Sequence, residues 1–371
     1  MLLKAVPILV LFLCGACLAL DTWSWANHGK PPVYTEMAYM KSGWSDKVFG
    51  VGNGKLQERY WSTSSWSWIW ANHGAPWGLL SNEYLAGPPC VMKDGRVYII
   101  SNKGRLFERY WSTGSNTWLW AIHGKPFGWV TLRYSGCACT SGGGGVARVF
   151  AVGTNSRLYE HYWSWSSNAW VWRDHGTPPG TSIGPAAIAT CNLATCSTQV
   201  FVVGANRYLY SLYITSANPG VATWYYRGKP TGEYVHGVSV GPAGVFVTTY
   251  DNDICEYRSS NWYCHGKPSG SLSTPSTTIS GAFPVDQCAQ ISDTPSSTRM
   301  IFINSWDPGY IKRSRIYSLK VKNTNNGQWR YHGTIGSCCY YVGAPELFLS
   351  GTCPKAFFTQ SNGYVRELWV H

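Results

Sequence analysis

The chain has 371 residues, 15% of them aromatic and 13% charged, with a formal net charge of +12. Its positive residues are scattered rather than run together, which argues against nucleic acid as a partner. After the first twenty residues no stretch approaches the ~18 unbroken apolar residues of a membrane span. A basic surface suits anionic partners such as acidic polysaccharide, lipid headgroups or cell-wall polymers. The excess of rings over charges says that large, flat, rigid side chains matter more here than ion pairs.

Residues 1–20 read as a secretory signal peptide: Lys4, an apolar run from Val6 to Leu13, then small residues around Gly15, Ala16 and Ala19. Cleavage is expected after Ala19 or Leu20, which makes the mature chain exported. Thirteen cysteines, less Cys14 and Cys17 of the leader, leave an odd number. In an exported protein that suggests up to five disulfides with one thiol over. Cys191 with Cys196 and Cys255 with Cys264 are the expected pairs, because each would close a short hairpin. Cys90, Cys137, Cys139, Cys288, Cys338, Cys339 and Cys353 cannot be paired from spacing. Their CAC and CC runs lack a second ligand half, so no metal site is expected.

From residue 21 onward one pattern repeats. An HG or RG step recurs at Gly29, Gly74, Gly124, Gly176, Gly228, Gly266 and Gly333, mostly 45 to 52 residues apart. Histidine precedes the glycine as His28, His73, His123, His175, His265 and His332, with Arg227 in the fifth register. Three residues earlier stands a tryptophan in every register: Trp25, Trp70, Trp120, Trp172, Trp224, Trp262 and Trp329. Before each anchor lie β-type runs separated by Gly/Asn/Ser turns, as in KVFGV, LQERYW and WSWIWAN, with a further strand fitting in each linker. Four strands per unit of 40 to 50 residues is one propeller blade.

The unit is split at the ends. TWSWANHGKP (22–31) is a last strand alone, and KAFFTQ–SNG–YVRELWVH (355–371) supplies earlier strands with no HG after them. Pairing the two would close a ring and remove its free edges. The reading is therefore all-β: a single domain over 21–371, a seven-bladed β-propeller of four-stranded antiparallel blades, closed by its N-terminal strand. The blades run approximately 33–77, 78–127, 128–179, 180–231, 232–269, 270–336, and 337–371 with 21–32. The repeated Trp and His are expected to be scaffold, the indole filling the wedge between blades with its N–H on an acceptor. The glycine turns the chain.

No catalytic constellation is present. GxSxG, HExxH and paired-carboxylate motifs are lacking, Trp306-Asp307 is a lone WD, and Asp251-Asn252-Asp253 reads as a solvated hairpin turn. A non-enzymatic protein without cofactor is expected. What varies around the ring is more telling. A second Trp, five before the His, occurs only as Trp23, Trp68, Trp118 and Trp170. The third strand carries Glu58-Arg59-Tyr60-Trp61, Glu108-Arg109-Tyr110-Trp111 and Glu160-His161-Tyr162-Trp163, with Glu256 and Glu367 keeping the acid elsewhere while Ser211 and Ser318 replace it. Strand alternation puts Glu58 and Tyr60 on one face, Arg59 and Trp61 on the other. An acid, a guanidinium and an indole at a groove suit a neutral sugar: the charged groups bond vicinal hydroxyls and the ring meets the C–H face of a pyranose.

The unit W-x-W-x-x-H-G-x-P after V-F-x-V-G and L-x-E-R-Y-W resembles the repeat of the PLL-type seven-bladed propeller lectins and, more loosely, that of the six-bladed fungal fucose-specific lectins. The resemblance implies a secreted, multivalent carbohydrate-binding protein for glycans or glycoconjugates on a cell surface or wall, with fucose or methylated sugars as leading ligands. In the fungal group an Arg, a Glu and an aromatic hold the sugar, which maps here only onto Glu58, Arg59, Trp61, Glu108, Arg109, Trp111, Glu160 and Trp163; Glu367 of the split blade, which keeps the acid, is a further candidate outside that mapping. The blades with Ser211 and Ser318, and the many cysteines, depart from that pattern. The competing expectation is an extracellular protein-binding or structural propeller.

Overall fold

The computed structural model describes residues 23–31, 37–42, 47–92, 94–141, 147–192, 198–215, 220–241, 244–268, 278–279, 283–284, 299–307, 313–321, 327–334, 341–350 and 353–370. The expected signal peptide and Cys196, the partner expected for Cys191, lie outside them.

Apolar runs such as Val97–Ser101, buried along their whole length, form the second strand of each blade. Sheets covered on both faces need bulk at either parity, so these runs do not alternate. Seven antiparallel sheets result. Blade 1 comprises Met37–Ser42, Lys47–Gly52, Lys55–Ser62 and Ser67–Gly74; blade 2, Leu85–Val91, Val97–Ser101, Leu106–Ser112 and Thr117–Gly124; and blade 3, Leu132–Ser141, Ala147–Gly153, Leu158–Ser164 and Ala169–Gly176. Blades 4 and 5 span 183–228 and 235–264, and blade 6 adds a short fifth strand, Phe283–Pro284. Blade 7 is built from Tyr341–Ser350, Cys353–Gln360 and Val365–Val370, completed by Trp23–Gly29, which pairs antiparallel with Val365–Val370 from Trp23↔Val370 to Gly29↔Val365. The chain's two ends thus share one sheet. First strands of neighbouring blades touch one another around the ring and line its axis. Among the described residues no helix is long and apolar enough to cross a membrane.

The core is distributed over the seams between blades. Phe49, Val51 and Leu56 of blade 1 pack with Val97, Ile99 and Phe107 of blade 2, and Phe150 of blade 3 with Tyr210 and Leu212 of blade 4. The repeated tryptophan ties each seam. Its indole Nε1 donates to the carbonyl of the His or Arg ending the preceding blade: Trp70 to His28 (3.0 Å), Trp120 to His73 (3.3 Å), Trp172 to His123 (3.3 Å), Trp224 to His175 (3.0 Å), Trp262 to Arg227 (3.2 Å), Trp329 to His265 (3.0 Å) and Trp25 to His332 (3.1 Å). The seven bonds run once around the ring and include the closing seam. The chain can leave each fourth strand because the glycine accepts a left-handed backbone, as at Gly74 (φ +70°). Cys255 and Cys264 form a disulfide across the last hairpin of blade 5. Cys90 of blade 2 and Cys137 of blade 3 are buried in one seam cluster, with Cys139 packed against it, none of the three in a disulfide.

Candidate functional site

The third-strand glutamates fall inside the blades. Glu58, Glu108, Glu160, Glu256 and Glu367 are all buried. Each turns one oxygen to the histidine of its own blade: Glu58 to His73 (2.9 Å), Glu108 to His123 (2.8 Å), Glu160 to His175 (2.8 Å), Glu367 to His28 (2.7 Å), and Glu256 to His265 at a longer 3.8 Å. A cation opening the second strand takes the other side, as Lys47 does for Glu58, Arg96 for Glu108, Arg148 for Glu160 and Lys355 for Glu367. Blade 5 starts that strand with Gly244, and its Glu256 is met instead by Arg299 of blade 6 at 3.0 Å. Blade 4 changes all three positions together. Gln199 replaces the cation and donates its Nε2 to Ser211 Oγ at 3.0 Å, Ser211 replaces the acid, and Arg227 replaces the histidine and donates its Nε to the same Oγ at 2.8 Å. In blade 6 the Ser318 hydroxyl meets His332 Nε2 at 2.8 Å.

A Glu and the Arg next to it in sequence therefore belong to different seams. Glu58 shares its face with Phe49, which lies against Trp118 of blade 2; Arg59 shares its face with Val48, packed on Phe357 of blade 7. The expectation that Glu58, Arg59 and Trp61 act on one ligand is corrected by this alternation. The structure joins the acid of one blade with the Arg and Trp of the next: Glu367 with Arg59 and Trp61 at seam 7/1, Glu58 with Arg109 and Trp111 at seam 1/2, Glu108 with His161 and Trp163 at seam 2/3. Glu160 faces seam 3/4, where blade 4 offers Leu212 and Ile214 instead.

These three seams share one geometry. The second tryptophan stands edge-on to the preceding blade's histidine: Trp68 to His28, Trp118 to His73 and Trp170 to His123, each with ring centroids 4.8 Å apart. The third-strand tryptophan then stands edge-on to the second: Trp61 to Trp68 at 5.9 Å, Trp111 to Trp118 at 5.8 Å and Trp163 to Trp170 at 5.9 Å. Trp61 and Trp111 open to solvent, 37% and 47% exposed. Between rim and seam lies the Arg/His position. Arg59 sits 5.3 Å over Trp70 and Arg109 5.1 Å over Trp120, while His161 lies 4.4 Å from Trp172. Trp23 repeats the histidine contact on His332 at 4.9 Å, but blade 7 brings Leu368 and Val370 where the other three bring Arg or His and Trp.

The two arginines stand out electrostatically. No carboxylate among the described residues lies within ion-pair distance of either. Arg109 Nε reaches only His73 Nδ1, at 3.4 Å, and Arg59 Nε is buried with no hydrogen-bond partner among the described residues. Burial holds the Arg59 guanidinium down to about 10 and lowers that of Arg109 in the same way. At seam 2/3 His161 Nε2 and His123 Nδ1 are 2.9 Å apart, and burial with that neighbour pushes His161 down to about 2. This groove is neutral where the other two are cationic.

No family model and no curated protein matches the chain. Solved structures do. Virginiamycin B lyase from Staphylococcus aureus superposes with a TM-score of 0.60 at 11% identity, over 94% of this chain and 100% of that one. The BP39L lectin from Burkholderia pseudomallei gives 0.59 at 15% identity over 91% and 96%. YCF48 from Cyanidioschyzon merolae gives 0.52 at 12% over 94% and 98%. An enzyme, a lectin and a third protein share the ring, so the likeness speaks for the fold and leaves the function to the grooves.

Proposed function

We propose that the chain is an exported, multivalent carbohydrate-binding protein whose grooves at seams 7/1, 1/2 and 2/3 take neutral sugars, with fucose or methylated sugars as leading ligands. The observation that carries this reading is the pair Arg59 and Arg109: half-buried guanidinium groups laid on indoles, with no carboxylate among the described residues to compensate them. A desolvated cation without a counterion is expensive as scaffold and well suited to a ligand whose hydroxyls it can bond with two parallel N–H groups. The open faces of Trp61 and Trp111 supply the platform for a pyranose ring. The buried glutamates act behind the groove, holding the histidine to which the second tryptophan stands edge-on.

Calorimetric titration with a panel of monosaccharides tests the reading. At least one neutral sugar should give heat, and Arg59→Ala with Arg109→Ala should remove most of it while the far-UV spectrum and melting curve stay close to the parent. Heat from none of the panel would count against it. Retention on a glycan column without turnover is expected. A protein-binding propeller is the second reading, favoured by the exposed Trp77, Phe127 and Trp129 on the linkers after blades 1 and 2. It predicts capture of a protein partner that persists in excess free sugar.

A further inference from the structure

A second kind of site opens at the other end of the cation scale. Where the linker from blade 2 enters blade 3, a cleft of about 760 Å³ is lined by Lys103, Lys125 and Arg133, with Leu80, Thr131 and Tyr134 among its walls and no acidic residue in its lining. Its floor is a close backbone approach. Leu132 N donates to Gly104 O at 3.1 Å, and a Cβ on Gly104 (φ +70°) would come within 2.8 Å of Leu132 and Thr131 atoms, so only glycine permits this approach. Arg133 also borders the cleft, but its guanidinium is engaged outside it, Nη1 on Gly184 O of blade 4 at 2.9 Å and Nη2 on Ser156 Oγ at 2.6 Å, which leaves Lys103 and Lys125 as the cations of the cleft. Glu83, the acid of that corner, is buried and held by Arg105 and the Ser101 hydroxyl. Tyr134 is 57% exposed, a ring face at the mouth. Between blades 4 and 5 the counterpart of Lys125, Lys229, already lies on a ring, 3.6 Å from the Tyr234 centroid.

We propose that this cleft binds an anionic saccharide, its sulfate or carboxylate at Lys103 and Lys125 and its ring against Tyr134. Two lysines without an acid in the lining select a negative charge. The hydroxyls and the aromatic platform beside them match a sugar ring rather than a bare ion. The site is separate from the indole grooves and does not rest on the reading given to them.

The test titrates the full chain with a sulfated oligosaccharide and with its desulfated, uronate-bearing counterpart, at low and physiological salt. Binding should weaken about tenfold as salt rises, and again about tenfold in Lys103→Ala/Lys125→Ala, whose side chains reach solvent. Tyr134→Ala should weaken it too, while Arg59→Ala/Arg109→Ala should leave it unchanged. Binding of the sulfated ligand alone assigns the cleft to sulfate esters; binding of both admits carboxylates. Failure of both oligosaccharides to bind, indifference to the lysine pair, or equal affinity for a DNA oligonucleotide of matched charge would overturn the proposal. Loss of neutral-sugar binding with this binding retained would separate the two kinds of site.

Discussion

Glu160 is fully buried, with Arg148 on one oxygen and His175 on the other. Taking away one member of such a group leaves the remaining charge in a site built for two, which costs about 3–5 kcal/mol for a buried pair. Glu160→Gln keeps the shape and removes the charge, so a loss of about 3 kcal/mol is expected in urea unfolding. A neutral result would mean that the acid is dispensable. His161 makes a second residue-scale case, with a definite sign. Its folded value lies near 2 against an ordinary 6.5, because burial and His123 both oppose its charge. Below about pH 6.5 the unfolded chain takes up a proton that the folded chain refuses, so this residue's contribution is complete above that pH and declines as pH falls. The decline has a limiting slope of about 1.4 kcal/mol per pH unit. His236, lowered by burial and by Arg207, acts in the same direction. His161→Leu, which copies Leu212 of blade 4, should therefore flatten the dependence of unfolding free energy between about pH 6.5 and 5 without abolishing it. An unchanged slope would show that His161 charges freely in the folded state.

At the scale of the element, the seam bond from indole to carbonyl explains why tryptophan recurs where another large ring would fill the wedge. Trp120→Phe keeps most of the bulk but leaves the His73 carbonyl without its donor, a cost of about 1–2 kcal/mol at a half-buried position. At Trp25, 40% exposed, water can replace the lost bond, so Trp25→Phe should cost measurably less in the same denaturation series. Equal costs would mean that ring volume, not the bond, sets the requirement. The W…HG period made these elements legible in the sequence, because seven registers repeat one turn chemistry and one indole. The seam partners were not legible. Alternation separates Glu58 from Arg59, but only the handedness of the ring decides which of the two faces meets the following blade. Grouping residues by adjacency therefore joined side chains that point into different grooves. A sequence clue did exist: Gln199, Ser211 and Arg227 depart from the pattern together, which marks cation, acid and histidine as one buried unit apart from the Arg and Trp. The second tryptophan misled in another way. Its presence in four registers reads as ligand choice, yet each copy packs on the histidine of the preceding blade; blades 4 and 6 follow His175 and His265 but carry Ala222 and Gly327, so that histidine alone does not set the restriction.

Taken as a whole molecule, the ring is asymmetric in what it offers a ligand. Three consecutive seams, 7/1, 1/2 and 2/3, carry the indole grooves, and the first of them exists only because Trp23–Gly29 joins Val365–Val370 and brings His28 to Trp68. Closure of the ring and assembly of that groove are one event. Grooves on neighbouring seams of one ring are held at fixed spacing, so on a dense surface a second and third contact form at an effective concentration in about the millimolar range. The parent chain should hold a densely glycosylated surface at least 100-fold more tightly than it binds the free sugar, the lower end of about 10²–10⁴ for linked sites. Arg59→Ala/Arg109→Ala, left with the neutral His161 groove, should lose nearly all of that gain and bind dense and sparse surfaces alike. Surface plasmon resonance on chips of graded glycan density reads the difference directly. If the double variant kept the density dependence of the parent, the gain would have to come from association of separate chains, and the three grooves on one arc would not be its source.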